Sequence, residues 1–222
     1  MIRLNITAEG HAEEQFVNQL LRPHLLPLGI YADVRRLRTS KGHRGGYTSF
    51  GKAEFDIRQW LREDSTAWHT TLIDLYGLDS GFPAYEEARL MRPYARIARL
   101  EQAFGERIDH QRFIPYLQLH EFEALLFADP AHTESWLQLD HPKLVAGSLT
   151  AIRQGYQTPE EINDSLLTAP SKRILSLCPG YDKVADGILI LKEITLPVLR
   201  RECPHFNEWL TRLEGLAQPR TD

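Results

Sequence analysis

Two carboxylates four residues apart, Glu9 and Glu13, flank Gly10 near the start of the chain. Oxygen ligands of this kind suit hard divalent cations such as Mg²⁺ or Mn²⁺. A cation so held neutralises phosphate charge and activates water. A further acid, Asp74, precedes the Gly- and Pro-containing stretch Leu75-Tyr76-Gly77-Leu78-Asp79-Ser80-Gly81-Phe82-Pro83. A third group, His120-Glu121-Phe122-Glu123, sets an imidazole and a carboxylate three residues apart, a spacing that shares one helix face. Such a pair can ligate a cation, bind a phosphate or transfer a proton. Each acid also has a structural alternative. Glu13 and Glu14 complement a helix dipole, Asp74 forms a turn, and His120, Glu121 and Glu123 start a helix.

The elements around these residues place them. Ile2, Leu4, Ile6 and Ala8 alternate with Arg3, Asn5 and Thr7, which predicts a strand over 2–8. Phe16, Val17, Leu20 and Leu21 predict a helix directly after it, ended by Pro23, Pro27 and Gly29. Gly10 turns the chain and leaves Glu9 at the strand's C-terminal end, the edge where open α/β sheets bind ligands. A strand over 30–37, a helix over 53–63 and a strand over 68–74 follow, the last ending on Asp74. The run 85–104 predicts a helix that Pro93 kinks or splits. Residues 113–119 predict a strand that leads into a helix at His120. Three strand ends thus deliver acids to one edge. Downstream, 136–157 predicts an amphipathic helix, Thr158-Pro159-Glu160-Glu161 a capping box, and Ser171 a helix N-cap. Residues 178–183 form a turn, and 186–201 and 206–216 are packing helices.

Positive charge concentrates in Arg35–Gly46, with five cationic side chains and three glycines in twelve residues. This is either a flexible loop that approaches a phosphate backbone or a solvated surface loop. Lys172 and Arg173 lie in a first helical turn, where cations oppose the dipole. With Lys183, Arg44 and His120 they form the candidate anion-binding set. A chain of 222 residues, 42% hydrophobic and 25% charged, reads as an ordinary soluble globular protein. Its core is expected over 1–130 and a helical elaboration over 131–222. A net charge of -4 argues against nonspecific coating of nucleic acid but leaves room for a local basic patch. Cys178 and Cys203 lack metal-ligand spacing and suit a reducing cytosol. No apolar run nears the roughly 20 residues of a membrane span. The N-terminus lacks a signal-peptide layout, so a cytoplasmic protein away from membranes is expected.

The strand, Glu9-Gly10 and Glu13 resemble the opening motif of Toprim domains, the Mg²⁺-dependent catalytic fold of topoisomerases, primases and OLD-type nucleases. Nearly end to end, the chain is similar to the DUF4276 family, a bacterial Toprim-like family of unknown function. The matching stretches are Asp74-Leu75-Tyr76-Gly77-Leu78, the segment His120 to Phe127, Pro170-Ser171-Lys172-Arg173 and Cys203-Pro204-His205-Phe206. The resemblance implies an α/β Toprim-like domain, with a central, mostly parallel sheet flanked by helices and a helical C-terminal elaboration. The residues themselves suggest metal on Glu9, Asp74 and one or two of Glu13, Glu121 and Glu123, catalysis by Glu9, Glu13, Asp74 and Glu123, and substrate on His120, Lys172, Arg173, Lys183 and Arg44. Toprim domains carry Asp-x-Asp where this chain has Asp74-Leu75-Tyr76, so Tyr76 replaces the second acid. Three functions fit: a Mg²⁺- or Mn²⁺-dependent nuclease of a bacterial defence system, a non-catalytic regulatory or nucleic-acid-binding subunit with a degenerate metal site, and a toxin-like phospho- or nucleotidyltransferase. Toprim-like nucleases often work with an ABC- or AAA-type ATPase. This sequence holds no P-loop motif, so such an ATPase would be a separate partner.

Overall fold

The computed structural model describes residues 1–40, 43–163 and 167–218. The chain divides into two compact units, Met1–Leu119 with Trp209–Asp222, and His120–Glu208. The described strands, in chain order, are β1 (Ile2–Ala8), β2 (Ile30–Arg36), β3 (Arg38–Ser40), β4 (His43–Arg44), β5 (Trp68–Asp74), β6 (Phe113–Ile114) and β7 (Leu117–Gln118). All belong to the first unit. They form a parallel sheet in the order β2-β1-β5-β6, with β7 also on β5, beside a small antiparallel ribbon of β3 and β4. This is the parallel α/β sheet flanked by helices that the sequence predicts. The chain steps from β1 outward to β2, then crosses back over β1 to β5. The strand order therefore reverses between β1 and β5.

The helices of this unit are α1 (His11–Phe16), α2 (Arg22–Leu25), α3 (Phe50–Glu63), α4 (Tyr85–Ala88) and α5 (Pro93–Ile108). α3 and α5 cover one sheet face, where Ile57, Leu61, Leu100 and Phe104 pack with Ile73, Phe113 and Leu117. Four phenylalanines knit this layer together. Phe50, Phe82, Phe104 and Phe113 meet edge-on with centroids 5.0 to 5.8 Å apart, each pair adding about 0.5–1.5 kcal/mol beyond area burial. On the opposite face Trp209 stacks on Tyr116 and donates its indole N–H to Thr70 Oγ1 at 2.9 Å. With both faces covered, β1 and β5 are interior strands. Asn5 and Thr7, which the alternating pattern places toward solvent, are 6% and 2% exposed.

Several element boundaries differ from the sequence expectation. Pro23 does not end the first helix. Val17–Leu21 forms a π turn, with Arg22 N–H bonded to Val17 O, and Pro23 follows inside α2. Widening the turn relieves the clash a proline ring makes with the carbonyl one turn back. The run ends at Gly29, whose φ of 76° only glycine adopts cheaply. The strand expected over 113–119 breaks at Pro115, which has no N–H for a ladder. Next to it, Tyr116 bonds the Thr71 hydroxyl through both its N–H and its carbonyl. Pro93 splits the region 85–104 rather than kinking it, because it opens α5 as a first-turn residue.

The second unit holds α6 (Pro130–Leu137), α7 (Ser148–Gln154), α8 (Pro170–Leu177), α9 (Ala185–Ile194) and α10 (Leu196–Glu202), and α11 (Pro204–Glu214) begins in it. The helix expected over 136–157 is interrupted around Pro142 and Gly147, the latter at φ 87°. That over 186–201 breaks at Thr195, φ 73°, so that Pro197 can sit in the first turn of α10. Among the described residues, no helix is long and apolar enough to cross a membrane.

His69 supplies a pH test of the packing. It lies fully buried on β5, bonded through Nε2 to Thr7 Oγ1 at 2.8 Å and meeting Trp60 edge-on. Burial, helped by the charges of His110 and Arg35, pushes its pKa down to about 3. The unfolded chain binds this proton near pH 6.5, so the stabilisation is whole above that value and drains away as pH falls toward 3. Urea denaturation should show an extra slope approaching 1.4 kcal/mol per pH unit below 6.5. His69→Gln should lose this slope relative to wild type.

Candidate functional site

β1 and β5 are hydrogen-bonded neighbours with Ala8 opposite Leu72. Glu9 prolongs the ladder by one bond, its N–H donating to Leu72 O at 2.9 Å. Its side chain turns to β5, where Oε2 accepts the backbone N–H of Asp74 at 2.9 Å. A Cβ on Gly77 would stand 3.9 Å from Glu9 Oε1, so glycine there leaves this second oxygen the most room. Asp74 closes β5 at 7% exposure, and a single 3₁₀ turn over Leu75–Gly77 carries the chain onward. Both acids therefore stand at the C-terminal ends of adjacent strands, where the strand order reverses. Open α/β sheets take up ligands in that crevice.

Glu13 and Asp79, the acids nearest in sequence to Glu9 and Asp74, are engaged with backbone. Glu13 Oε2 accepts the N–H of Gly10 at 2.8 Å, one half of a capping box. A Cβ on Gly10 would come 3.0 Å from that oxygen, which makes glycine the fitting residue. Asp79 accepts from the Tyr47 hydroxyl at 2.5 Å and from Phe50 N–H at 2.9 Å, so it caps α3. Burial works to raise the Asp79 pKa, but these bonds outweigh it and hold the carboxyl below its usual range. Burial and then Asp79 push the Tyr47 phenol upward. Among the described residues, no group of three or more His, Cys, Asp or Glu side chains is placed to hold a metal.

The basic stretch is tied down. Gly46, at φ 84°, donates to the Glu9 carbonyl at 2.8 Å, and Gly45, at φ 114°, donates to Leu37 O at 2.8 Å. Its cations have acidic partners. Arg35 pairs with Glu63 at 2.6 Å and lies over Trp60, Arg36 pairs with Glu14 at 3.0 Å, and Arg38 with Asp56 at 3.8 Å. Lys41, Gly42 and the side chain of Arg44 lie outside the described residues.

In the second unit the expected helix face shared by His120 and Glu123 does not form. His120 sits in the left-handed region at φ 65°, Glu121 is extended, and a 3₁₀ helix covers Phe122–Ala128. His120 Nδ1 lies 3.2 Å from Asn163 Nδ2. Glu121 Oε2 accepts the N–H of Ser171 at 3.0 Å. The expected N-cap, Ser171, is therefore inside α8, with Pro170 in its first turn and a distant carboxylate as the cap. Glu123 lies 3.3 Å from Lys183 Nζ, which also stands over the Phe122 ring. Arg173 donates to Thr168 O and to the Tyr156 hydroxyl, whereas Lys172 is exposed. The family stretch Cys203-Pro204-His205-Phe206 carries no chemical motif of its own and needs a structural reason. Buried Glu160 supplies one, accepting the N–H groups of His205 and Phe206 at 2.9 Å each. No local signal joins residues this far apart.

A family profile described as "Domain of unknown function (DUF4276)" matches residues 8–214. Among solved structures, the chain is similar to the C-terminal region of the Burkholderia pseudomallei OLD protein, at 16% identity and TM-score 0.49 over 98% of this chain and 100% of that one. It is also similar to the C-terminal region of the Xanthomonas campestris pv. campestris OLD protein, at 18% identity and TM-score 0.46 over 98% and 96%. No curated protein matches the chain.

If Glu121 caps α8, Glu121→Ala should lower stability by about 1–2 kcal/mol, and Glu121→Gln, which keeps an acceptor oxygen, by less. Urea midpoints at constant m-value read this directly. An alanine variant with the wild-type midpoint removes the capping role.

Proposed function

The chain belongs to the DUF4276 family, and we propose that it is a Mg²⁺-dependent phosphodiesterase of Toprim type acting on DNA or RNA. The observation that carries this reading is the placement of Glu9 and Asp74 side by side at the reversal of strand order. Mg²⁺ is often held by one or two carboxylates, with water and substrate phosphate completing its shell. The hard oxygens of Glu9 and Asp74 fit one such cation, and Tyr76 in place of a second Asp restricts the site to one. When bound, the cation would supply charge neutralisation and an acidified water.

The chain's own groups prepare that site. The Asp74 N–H orients the Glu9 carboxylate through Oε2 and leaves Oε1 facing Gly77. Glu13 holds the Gly10 turn and is a positioning residue rather than a ligand. Glu121, Glu123 and Arg173, bonded to Ser171, Lys183 and Tyr156, serve the fold. Within the core, Arg44 is the cation assigned to phosphate. The chemistry belongs to the core over 1–130, with 131–222 as elaboration, and an ABC- or AAA-type ATPase is a separate partner. One observation favours a second reading, a regulatory subunit of such an ATPase. Tyr76 stands where Toprim domains carry a second acid.

Incubating plasmid DNA and RNA with the protein in Mg²⁺, Mn²⁺ or chelator decides between them. Glu9→Gln and Asp74→Asn should each depress cleavage roughly 10²-fold or more while folding is kept. Mn²⁺ should raise the melting temperature of wild type and not of Asp74→Asn. Variants that cleave at the wild-type rate sink the assignment. A wild-type protein that neither cleaves nor responds to Mn²⁺ favours the regulatory subunit.

A further inference from the structure

The described cations of the Arg35–Arg44 stretch are paired with acids, but a second surface is differently made. From Tyr85 to Arg99 the chain carries Arg89, Arg92, Arg96 and Arg99 against Glu86 and Glu87. Arg99 is held by both oxygens of Glu87 at 2.8 Å, and Arg89 lies 3.7 Å from Glu86. Among the described residues no carboxylate pairs with Arg92 or Arg96, and Arg96 lies over the Tyr85 ring at 5.8 Å. Pro93 bars the preceding residue from helical geometry, and Arg92 is extended at ψ 152°. The break raises Leu90 and Met91 to the surface at 89% and 39% exposure, between two arginines.

The topology places this tip. β5 and β6 are parallel, so α5 must run back against the strand direction to connect them. Its far end lies near the start of the next strand, where Gly105 faces Pro115 and Ile108 packs with Phe113. Its first residue, Pro93, is therefore at the C-terminal edge of the sheet. That is the edge that carries Glu9 and Asp74.

We propose that Arg89-Leu90-Met91-Arg92 is a wedge for duplex DNA. Arg92 engages a phosphate at the rim of the minor groove, Arg89 exchanges Glu86 for a phosphate across it, and Leu90 and Met91 enter a base step between them. This rests on the phosphodiesterase reading and narrows its substrate to a duplex. Apolar side chains inserted between base steps unstack and kink DNA toward the major groove, at a few kcal/mol per step offset by added contacts. Flexible pyrimidine–purine steps yield most easily. The wide, shallow minor groove of A-form RNA gives such a wedge far less purchase.

The test uses the full chain in chelator, with a duplex carrying 2-aminopurine beside a TA step. Wild type should raise the fluorescence as the step unstacks. The double variant Leu90→Ala, Met91→Ala should lose that rise and bind the duplex roughly 10-fold more weakly, with single-strand binding and salt slope unchanged. Arg92→Ala should instead lower the salt slope by about 0.9 and keep the rise. Wild type that binds duplex without unstacking it, or a double variant that behaves as wild type, overturns the wedge. Cleavage of the same duplex in Mg²⁺ is scored separately. Unstacking without cleavage defeats the phosphodiesterase reading alone, cleavage without unstacking defeats the wedge alone, and no binding to any nucleic acid defeats the wedge.

Discussion

Glu9 Oε2 accepts the backbone N–H of Asp74 at 2.9 Å, where the ladder between β1 and β5 ends. A backbone donor just past the end of a ladder needs an acceptor, and a carboxylate makes a stronger one than a neutral carbonyl. The bond also fixes which oxygen of Glu9 turns toward the end of β5. Around it the chain is drawn in from several directions. Leu37 N–H bonds the Ala8 carbonyl and Gly46 N–H the Glu9 carbonyl, so the ribbon after β2 is anchored to the same corner. None of this forms unless β1 lies between β2 and β5, and that position requires β1 to be covered on both faces. Asn5, Thr7, His69, Thr70 and Thr71 are the polar interior that results.

The same device recurs through the molecule. Glu13 accepts from Gly10, Asp79 from Phe50, Glu121 from Ser171, Glu134 from Gly147 and Leu149, and Glu160 from His205 and Phe206. Helix starts leave backbone N–H groups without partners, and short polar caps on the preceding residue usually satisfy them. Here distant carboxylates do much of that work. A buried carboxylate so employed gains charge-assisted bonds in exchange for its lost hydration. The acidic balance of the composition therefore reflects scaffolding as well as any catalysis.

That double use explains what the sequence discloses. The strands expected over 2–8, 30–37 and 68–74 and the helix expected over 53–63 follow from side-chain periodicity and form within three residues of those bounds, and the strand ends put Glu9 and Asp74 at one edge. The order of strands comes from pairing, which periodicity does not encode. Asn5 and Thr7 read as solvent-facing because a polar residue in alternation usually is, and only the helix layer over them reverses that. Helical spacing likewise groups His120 with Glu123, yet a left-handed His120 separates them. Pro115 and Pro197 fall inside the strand expected over 113–119 and the helix expected over 186–201. What they broke depended on partners such as Thr71, supplied from elsewhere in the chain.

The long-range caps also set an order of events during synthesis. Glu121 precedes Ser171 by 50 residues, and Glu160 precedes His205 by 45. A ribosome therefore releases each acid well before the helix it will satisfy. Until then the carboxylate keeps its hydration, because burying it alone costs several kcal/mol. Closing loops of this length is only slightly dearer than closing short ones, about 0.6 kcal/mol per doubling. A nascent chain stalled before Pro204 holds Glu160 without the two N–H groups it is built to receive. The second unit therefore lacks these two carboxylate caps until Ser171 and Phe206 have been made.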